Sequence, residues 1–356
     1  MLGFALTSTQ KYEDAVPAWQ EYLKNKPGDV DADLALAFAL RSLTRYSEAA
    51  AAYEAALKVN PDRYGLQVDL GTVTLLAGDE QRAVAVFQKL LAEHPDAEML
   101  NDVGYELADQ NKQLPLALQY AEKAVREEEE ASAKVDISNL KVEDLRHTSN
   151  VGADWDTLGW VYFRMNNYEA AEKYLDAAWT LSQDGAEAAH LGQVYEKQNK
   201  KASAIHMYRL ALYRMGLSSQ PRPATTTQMQ ETQSRLNRLT LGQSGKSDGM
   251  IELSDELSHM RVAELPKLVP GTESADFFVL FSANAKARGF TIEDVKFVSG
   301  SEQLKSATSA LKAARFQIFF PDAGPTKLVR RGVLNCHQHL GCSFALSNPD
   351  STNSVN

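Results

Sequence analysis

The sequence has very little of what most enzyme and membrane classes require. The first 335 residues contain no cysteine, and the only two cysteines, Cys336 and Cys342, lie near the end of the chain. Thiol nucleophiles and cysteine-rich metal sites are therefore excluded from nearly its whole length. No run approaches the ~20 apolar residues that span a bilayer, so we expect no membrane span.

Positive charge is also scarce. The 37 basic residues are outnumbered by 47 acidic ones, which gives a formal net charge of −10. A general nucleic-acid binder needs a basic face to replace phosphate counterions, so we expect no nucleic-acid partner. The sequence contains no zinc-protease helix, nucleophile elbow, phosphate-binding loop or dinucleotide fingerprint. We therefore predict no enzymatic activity, no catalytic residue, no cofactor and no metal.

Four series of residues recur every 34 positions. In a unit that contains two helices, the proline cannot continue the second helix and ends the unit. The aromatic residue follows the alanine by one helical turn and lies on the same face. The series are Pro27, Pro61 and Pro95; Ala15, Ala49 and Ala83; Trp19, Tyr53 and Phe87; and Leu2, Leu36 and Leu70.

The sharpest copy of the repeat lies in the middle of the chain. Trp155, Leu158, Gly159 and Tyr162, followed by Ala171, fit the pattern W-x2-L-G-x2-Y…A. This copy resembles the tetratricopeptide-repeat (TPR) family. The resemblance implies a mainly α fold, a solenoid of about six helix–turn–helix units, and a concave groove that binds a protein or peptide.

Changes in composition and spacing predict the domain organisation. The first unit lacks the start of its first helix, so we expect a fragment of a longer protein or a start codon placed too late. We predict a TPR solenoid at 1–215 with an insertion at 126–152, a linker with short helices at 216–262, a small α+β domain at 263–348, and a disordered tail at 349–356.

The insertion begins with the acidic run 127–130 and continues with spaced apolar residues. We interpret it as a lengthened helix followed by a partly packed excursion. The acidic run fits a solvated helix face, and a docking site for a basic partner is the alternative.

From about Asp276, the spacing of the apolar residues changes from helical to alternating or continuous. A continuous apolar run at 277–281 predicts a strand that is covered on both faces. After 276, the elements give a β-β-α-β-β(β) order, which resembles the C-terminal domain of TonB-like proteins. The other predicted elements are a helix at 250–261, strands at 292–298, 316–320, 327–336 and 342–346, and a helix at 302–314.

A wider resemblance extends from Tyr105 through Trp160 to the segment 328–332. It is to the C-terminal part of bacterial proteins that join a transglutaminase-like domain to TPRs. This resemblance implies a catalytic domain upstream of the chain and a location in the periplasm or cell envelope; otherwise we expect a cytoplasmic protein. The alternative function is therefore that of an accessory fragment of such a protein.

The densest cluster of reactive side chains contains Cys336, His337, His339 and Cys342. A disulfide that closes a β-hairpin is one interpretation, conditional on export from the cytoplasm. Two free thiols in a reducing compartment are the second. A zinc site is the third, although seven consecutive residues make a cramped cage.

The TPR register places one set of side chains on the groove face of the first helices. Aromatic residues in such a groove can anchor an extended or helical peptide, although the same rings can simply pack against neighbouring helices. The sequence does not determine the oligomeric state. The groove candidates are Phe38, Arg41, Thr72, Asn101, Tyr105, Asp156, Trp160, Gln193 and Lys197.

Overall fold

The chain folds into two compact units, 1–120 and 121–356, which we call the N-terminal and C-terminal units. The boundary lies inside a helix, whereas the sequence places its first domain boundary at 215. The computed structural model describes residues 2–217, 223–240, 250–265, 271–284, 289–321, 325–338 and 340–347.

Twelve helices follow one another along the chain as six helix–turn–helix pairs, which confirms the predicted TPR solenoid. The alanine that recurs at the helix crossing is fully buried in all six pairs. The helices are α1 (Leu2–Ser8), α2 (Tyr12–Asn25), α3 (Val30–Ser42), α4 (Tyr46–Val59), α5 (Tyr64–Leu76), α6 (Glu80–Glu93), α7 (Ala97–Asp109), α8 (Leu114–Ser132), α9 (His147–Arg164), α10 (Tyr168–Ser182), α11 (Gly185–Lys197) and α12 (Lys201–Gly216).

A small residue in the first helix of a pair lets the second helix approach. A Cβ atom on Gly3 would lie 2.6 Å from the Trp19 ring, and one on Gly192 would lie 2.6 Å from the Tyr208 ring. Real Cβ atoms do not approach so closely, so a larger residue would force the helices apart. The small residue at this position of the repeat is therefore required for the two helices to pack closely.

Two further helices follow the solenoid. α13 (Pro223–Leu239) packs against α11 and α12, and its Thr232 is buried. α14 (Met250–Arg261) packs against α12, and its bounds match the predicted helix. Both helices therefore belong structurally to the end of the helical array.

The tail forms a five-stranded antiparallel sheet in the order β1-β5-β4-β2-β3. The interior strand β2, which lies between β4 and β3, is covered on both faces, as its apolar run predicts, because Phe277 to Phe281 are all nearly fully buried. A short helix, α15 (Thr308–Lys312), follows β3 after a 3-10 segment. The strands are β1 (Val262–Leu265), β2 (Glu273–Asn284), β3 (Gly289–Gly300), β4 (Lys327–His337) and β5 (Gly341–Leu346).

The sheet differs from the sequence prediction in two places. The predicted strand at 316–320 is wrong, because within it only Phe319 forms an isolated bridge, to Gly289. The aromatic rings of this segment pack against rings of the sheet instead. Phe316 packs edge-on against Phe281, and Phe320 packs edge-on against Phe290. β1 was not predicted as a strand, and it pairs with β5 directly after α14.

The insertion packs against the sheet. Its chain makes two short 3-10 turns between α8 and α9, and its apolar side chains turn inward. The buried cluster contains Val135, Ile137 and Leu145 of the insertion, Phe278 and Leu280 of β2, and Val329 of β4. The insertion is thus the surface on which the sheet rests.

The acidic run is not a solvated face throughout, so this interpretation is wrong for Glu128 and Glu129. The two residues are 7% and 8% exposed. Glu128 bonds the Nδ1 atom of His147 at 2.6 Å, and Glu129 accepts a hydrogen bond from the Trp155 indole at 2.9 Å. The bond to Glu128 raises the pKa of His147 above its ordinary value. The N-terminal extension of α9 places His147 against α8 and explains the difference.

Polar contacts also join the repeats to the sheet. The Thr148 hydroxyl donates to the carbonyl of Val329 at 2.9 Å. The buried guanidinium of Arg330 donates through Nη1 to the carbonyl of Leu181 at 2.9 Å and through Nη2 to that of Ser347 at 2.6 Å. Helices and sheet therefore share one interior within the C-terminal unit.

Candidate functional site

Polar side chains of three successive first helices lie on one face of the N-terminal unit. Arg41 of α3 lies 3.4 Å from the carboxylate of Asp69 on α5, and both side chains are more than a third exposed. Glu106 on α7 is near enough to Arg41, Asp69 and Thr72 for all three to affect its pKa. We call these residues, with Asn101, Asp102 and Tyr105 of α7, the α3–α5–α7 face.

Carboxyl groups of this face are easier to protonate than usual. Burial raises the pKa of Glu106 to about 7, and the nearby Thr72 hydroxyl and Arg41 charge oppose that shift. Burial, together with the charge of Glu98, raises the pKa of Asp102 to about 6. At neutral pH, a cationic or hydrogen-bond-donating ligand would favour their ionised forms.

The other candidates in the N-terminal unit differ in accessibility. Phe38 is partly exposed and packs edge-on against Tyr12 at 5.8 Å. Tyr105 is also partly exposed. Thr72 is only 1% exposed, and its hydroxyl donates to the carbonyl of Val68, so it offers little surface to a ligand. The Oδ1 atom of Asn101 is buried and has no hydrogen-bond donor among the described residues.

The C-terminal unit contains a second cluster on its own first helices. Nδ1 of His190 on α11 lies 3.0 Å from both carboxylate oxygens of Asp156 on α9. The Trp160 ring lies between His190 and Phe163, with ring centroids 4.2 Å and 4.8 Å away. Trp160 is 4% exposed, and its indole N–H has no acceptor in the described part of the chain. This stack stabilises the wall between two repeats.

Gln193 and Lys197 lie further along α11, where Gln193 is partly exposed and Lys197 is exposed. Sequence reasoning missed His190, which contacts both Asp156 and Trp160. The signal was available, because His190 precedes Gln193 by three residues and a helix places such residues on one face.

The two cysteines are directly opposite each other in the hairpin of β4 and β5. Their sulfur atoms are bonded, and both residues are 1% exposed. His337 is exposed beside them, whereas His339 lies outside the described residues. Among the residues that the structure describes, no group of three or more histidine, cysteine, aspartate or glutamate side chains could hold a metal ion.

An acidic cavity of about 280 Å³ opens beside α8, α9 and α10 in the C-terminal unit. Two of its carboxylates are already engaged, since Tyr162 donates to Glu122 and Trp155 donates to Glu129. In the described ranges, no helix is long and apolar enough to cross a membrane.

The similarities to known proteins differ in how much of each chain they cover. No curated protein matches the sequence. Yeast Tom70 is similar in structure with a TM-score of 0.43 and 15% identity, over 68% of this chain and 46% of the Tom70 chain. The chain thus spans less than half the length of that relative.

Two smaller solved structures are covered almost completely. TTC0263, a TPR protein of Thermus thermophilus, has a TM-score of 0.40 and 20% identity over 60% of this chain and 99% of its own. YrrB, described as a TPR protein with an unusual peptide-binding site, has a TM-score of 0.31 and 17% identity over 60% of this chain and 98% of its own.

Family models match two parts of the chain. Residues 34–98 match one tetratricopeptide-repeat model, and residues 155–184 match another. The resemblances to transglutaminase-like proteins and to the TonB C-terminal domain stay predictions. The matched segments and the six helix pairs establish that this chain carries tetratricopeptide repeats, a fold that in general serves as a non-catalytic scaffold for protein interactions.

Proposed function

We propose that this protein is a non-catalytic scaffold that binds a peptide or protein segment on the first helices of its repeats. Within the N-terminal unit, we assign the contact to the α3–α5–α7 face. The observation that carries this proposal is the set of partly exposed charged groups contributed to one face by three successive repeats.

The chemistry of the face favours a basic segment. Asp69, Asp102 and Glu106 supply three carboxyl groups, against the single guanidinium of Arg41. A Lys or Arg side chain would offset the repulsion among the carboxyls and would favour their ionised forms. Phe38 and Tyr105 flank these groups with partly exposed rings, which can cover the apolar stem of such a side chain.

Fewer polar groups are available to a ligand in the cluster of Asp156, Trp160 and His190, where Asp156 already bonds His190 and Trp160 is buried. We therefore treat Gln193 and Lys197 as peripheral contacts of the proposed scaffold. Neither cluster contains a nucleophile beside an oriented base, which supports a binding role over a catalytic one.

The proposal can be tested by selecting peptides from a random display library on the full-length chain. Synthetic copies of the selected peptides are then measured against wild type and against the Asp102→Asn/Glu106→Gln double variant. We expect the selected peptides to be rich in Lys and Arg, and we expect roughly tenfold or greater loss of affinity in the variant, since charge-assisted hydrogen bonds contribute about 1.5–3 kcal/mol each.

The matched control is Asp62→Asn/Glu93→Gln. It makes the same change in formal charge at two exposed carboxyls of the same unit that lie outside the first-helix face. Equal losses in the two double variants would show that affinity follows net charge alone and would rule out the assigned face.

A further inference from the structure

A polar cavity of about 200 Å³ lies in the C-terminal unit, between the end of α10, α12 and α14. Drug-sized ligands occupy cavities of about 300–1,000 Å³, so this one suits a small group. None of its lining residues is acidic. They are Gln183, Tyr213, Arg214, Leu217, Ser254, Leu257, Ser258 and Arg261.

Two guanidinium groups in the cavity wall lack an acidic partner. Nε of Arg214 donates to the carbonyl of Gln183 at 2.6 Å, and Nη2 of Arg261 donates to that of Ser182 at 3.3 Å. Among the described residues, no carboxylate lies within ion-pair distance of either arginine. Glu256 of α14 is bonded to His206 at 3.0 Å.

The two arginines also repel each other. Burial, together with the charge of Arg214, lowers the pKa of Arg261 to about 10. Both effects oppose the cationic form, which still prevails at neutral pH. Two like charges held together in a partly buried site are costly unless an anion lies between them.

Among the described residues, three further polar atoms in the wall lack a hydrogen-bond partner, although Nε2 of Gln183 donates to the carbonyl of Leu257. The Tyr213 and Ser254 side-chain hydroxyls donate to no other residue in the described part of the chain. Gln183 is 1% exposed, and its Oε1 atom is buried with no hydrogen-bond donor among the residues that the structure describes. Buried polar atoms are normally satisfied, so an unsatisfied one in a cavity wall points to a ligand or to water.

We propose that this cavity binds a small oxyanion of the phosphate type, held by the guanidinium groups of Arg214 and Arg261 and by the hydroxyls of Tyr213 and Ser254. Guanidinium groups match the oxygens of phosphate in pairs. Phosphate also offers more acceptor oxygens than a carboxylate, and its protonated form can donate to Gln183. The ligand is either free phosphate or a phosphoryl group on a peptide side chain.

An anion at this position would affect the sheet as well as the helices. Arg261 is the last residue of α14, and β1 begins at the next residue, Val262. An oxyanion between the arginines would hold the end of α14 against α12 and thereby the start of β1. Its binding should therefore reduce hydrogen exchange in β1.

The test is isothermal titration of the full-length chain with inorganic phosphate, at an ionic strength held constant with sodium chloride. We expect saturable one-site binding, and roughly tenfold or greater loss of affinity in both Arg214→Gln and Arg261→Gln. Arg209→Gln is the matched control, since Arg209 is exposed on the same helix α12. Absence of saturable binding, or an equal loss in the control, would overturn the proposal.

A second variant guards against misfolding of the arginine variants. Tyr213→Phe/Ser254→Ala removes only two hydroxyls, and we expect it to weaken binding severalfold while the helical circular dichroism stays unchanged. An unchanged dissociation constant in that folded variant would contradict the proposed site. Titration with a neutral peptide that contains one phosphoserine distinguishes the sources: tighter binding than inorganic phosphate indicates a phosphorylated partner, and weaker binding indicates the free ion.

Discussion

The two compact units are built from the same repeat but are stabilised in different ways. In the N-terminal unit, Trp19 and Phe87 each pack against the glycine of their own helix pair, Gly3 and Gly71, and Trp19 shares a buried cluster with residues of the next pair. In the C-terminal unit, Trp155 also contacts Phe320 of the tail at 5.7 Å, and Thr148 donates to Val329, 181 residues away. One unit depends on contacts between sequence neighbours, and the other adds contacts between distant segments.

This difference indicates where the cooperativity of unfolding should change along the chain. A repeat array gains stability from each interface between neighbouring repeats, so local damage can stay local. Where the sheet and the insertion share a core with α9 and α10, damage to either should spread to the other. The following predictions test that contrast by measuring hydrogen exchange in 1–120 and 121–356 separately.

The largest effect is expected at the helix crossing of the fifth repeat. A Cβ atom on Gly159 would lie 2.7 Å from Cγ of Leu175 and 3.1 Å from its backbone nitrogen. Gly159→Leu should lower the free energy of unfolding by about 3 kcal/mol or more, because overpacking forces the two helices apart.

Gly216→Leu is the control, because a Cβ atom there meets nothing within 4 Å. It should change stability by no more than ~0.5 kcal/mol. Equal shifts in the urea midpoint at the two sites would show that the repeat register is wrong. If Gly159→Leu accelerated hydrogen exchange in 1–120 as much as in 121–356, the two units would not differ in cooperativity.

The second effect concerns the buried arginine of β4. Arg330→Met keeps an apolar stem but removes the donors to the carbonyls of Leu181 and Ser347. We expect a loss of about 2 kcal/mol, since buried carbonyls left without donors are costly. Faster exchange should appear in α10 as well as in the sheet.

Arg331→Met, one residue along the strand, is the comparison. Arg331 pairs with Asp276 at 2.7 Å where both side chains are more than a fifth exposed, so its loss should cost at most ~1 kcal/mol. A larger loss for Arg331 than for Arg330 would contradict the assigned role of Arg330 in joining helices and sheet.

The third effect concerns the cysteines, which we propose are bridged in the native protein. They close a loop across a sequence separation of 6 residues, so the chain-entropy gain is small, about 2 kcal/mol. Reduction should loosen β4 and β5 and leave 1–120 unchanged. Mass spectrometry of the non-reduced protein should show a mass lower by two hydrogens; two alkylatable thiols, or zinc removed by a chelator, would support the other interpretations.

The smallest effect is confined to the N-terminal unit. Because the pKa of Glu106 is raised to about 7 from an ordinary 4.5, the folded state holds this proton more tightly than the unfolded state does. Stability should therefore fall as the pH rises from 4.5 to 7. Glu106→Gln should make the total fall in the free energy of unfolding over this pH range smaller, by less than ~1 kcal/mol, because water screens a partly exposed carboxyl. An unchanged slope in denaturant titrations across that range would refute the assignment.

The sequence predicts what depends on local spacing. The 34-residue series places the buried alanines correctly, and the apolar run at 277–281 correctly predicts a strand that is covered on both faces. Contacts between distant segments are not encoded in any spacing. Glu128 bonds His147, 19 residues away. The backbone N–H of Phe319 donates to the Thr180 hydroxyl at 3.0 Å instead of extending a strand.

The candidate binding residues show the same division. Register places Arg41 and Thr72 on equivalent helices of neighbouring repeats, but it does not single out Asp69, whose carboxylate contacts Arg41. The repeat register does not show which side chains of the first helices are buried. Thr72 and Trp160 are therefore predicted as binding residues, although both are almost inaccessible to solvent. The arginines of the cavity between α12 and α14 belong to helices from different predicted domains, and no motif links them.

The insertion at 126–152 also has a meaning for protein engineering. Repeat arrays tolerate added segments between units because each unit contacts mainly its neighbours. Here the added segment supplies the apolar anchor, Val135, Ile137 and Leu145, on which an unrelated fold is mounted. If the insertion, the helix pair that follows it and the sheet were transplanted together, a designed TPR array could carry a second module through this buried apolar interface in place of a flexible linker.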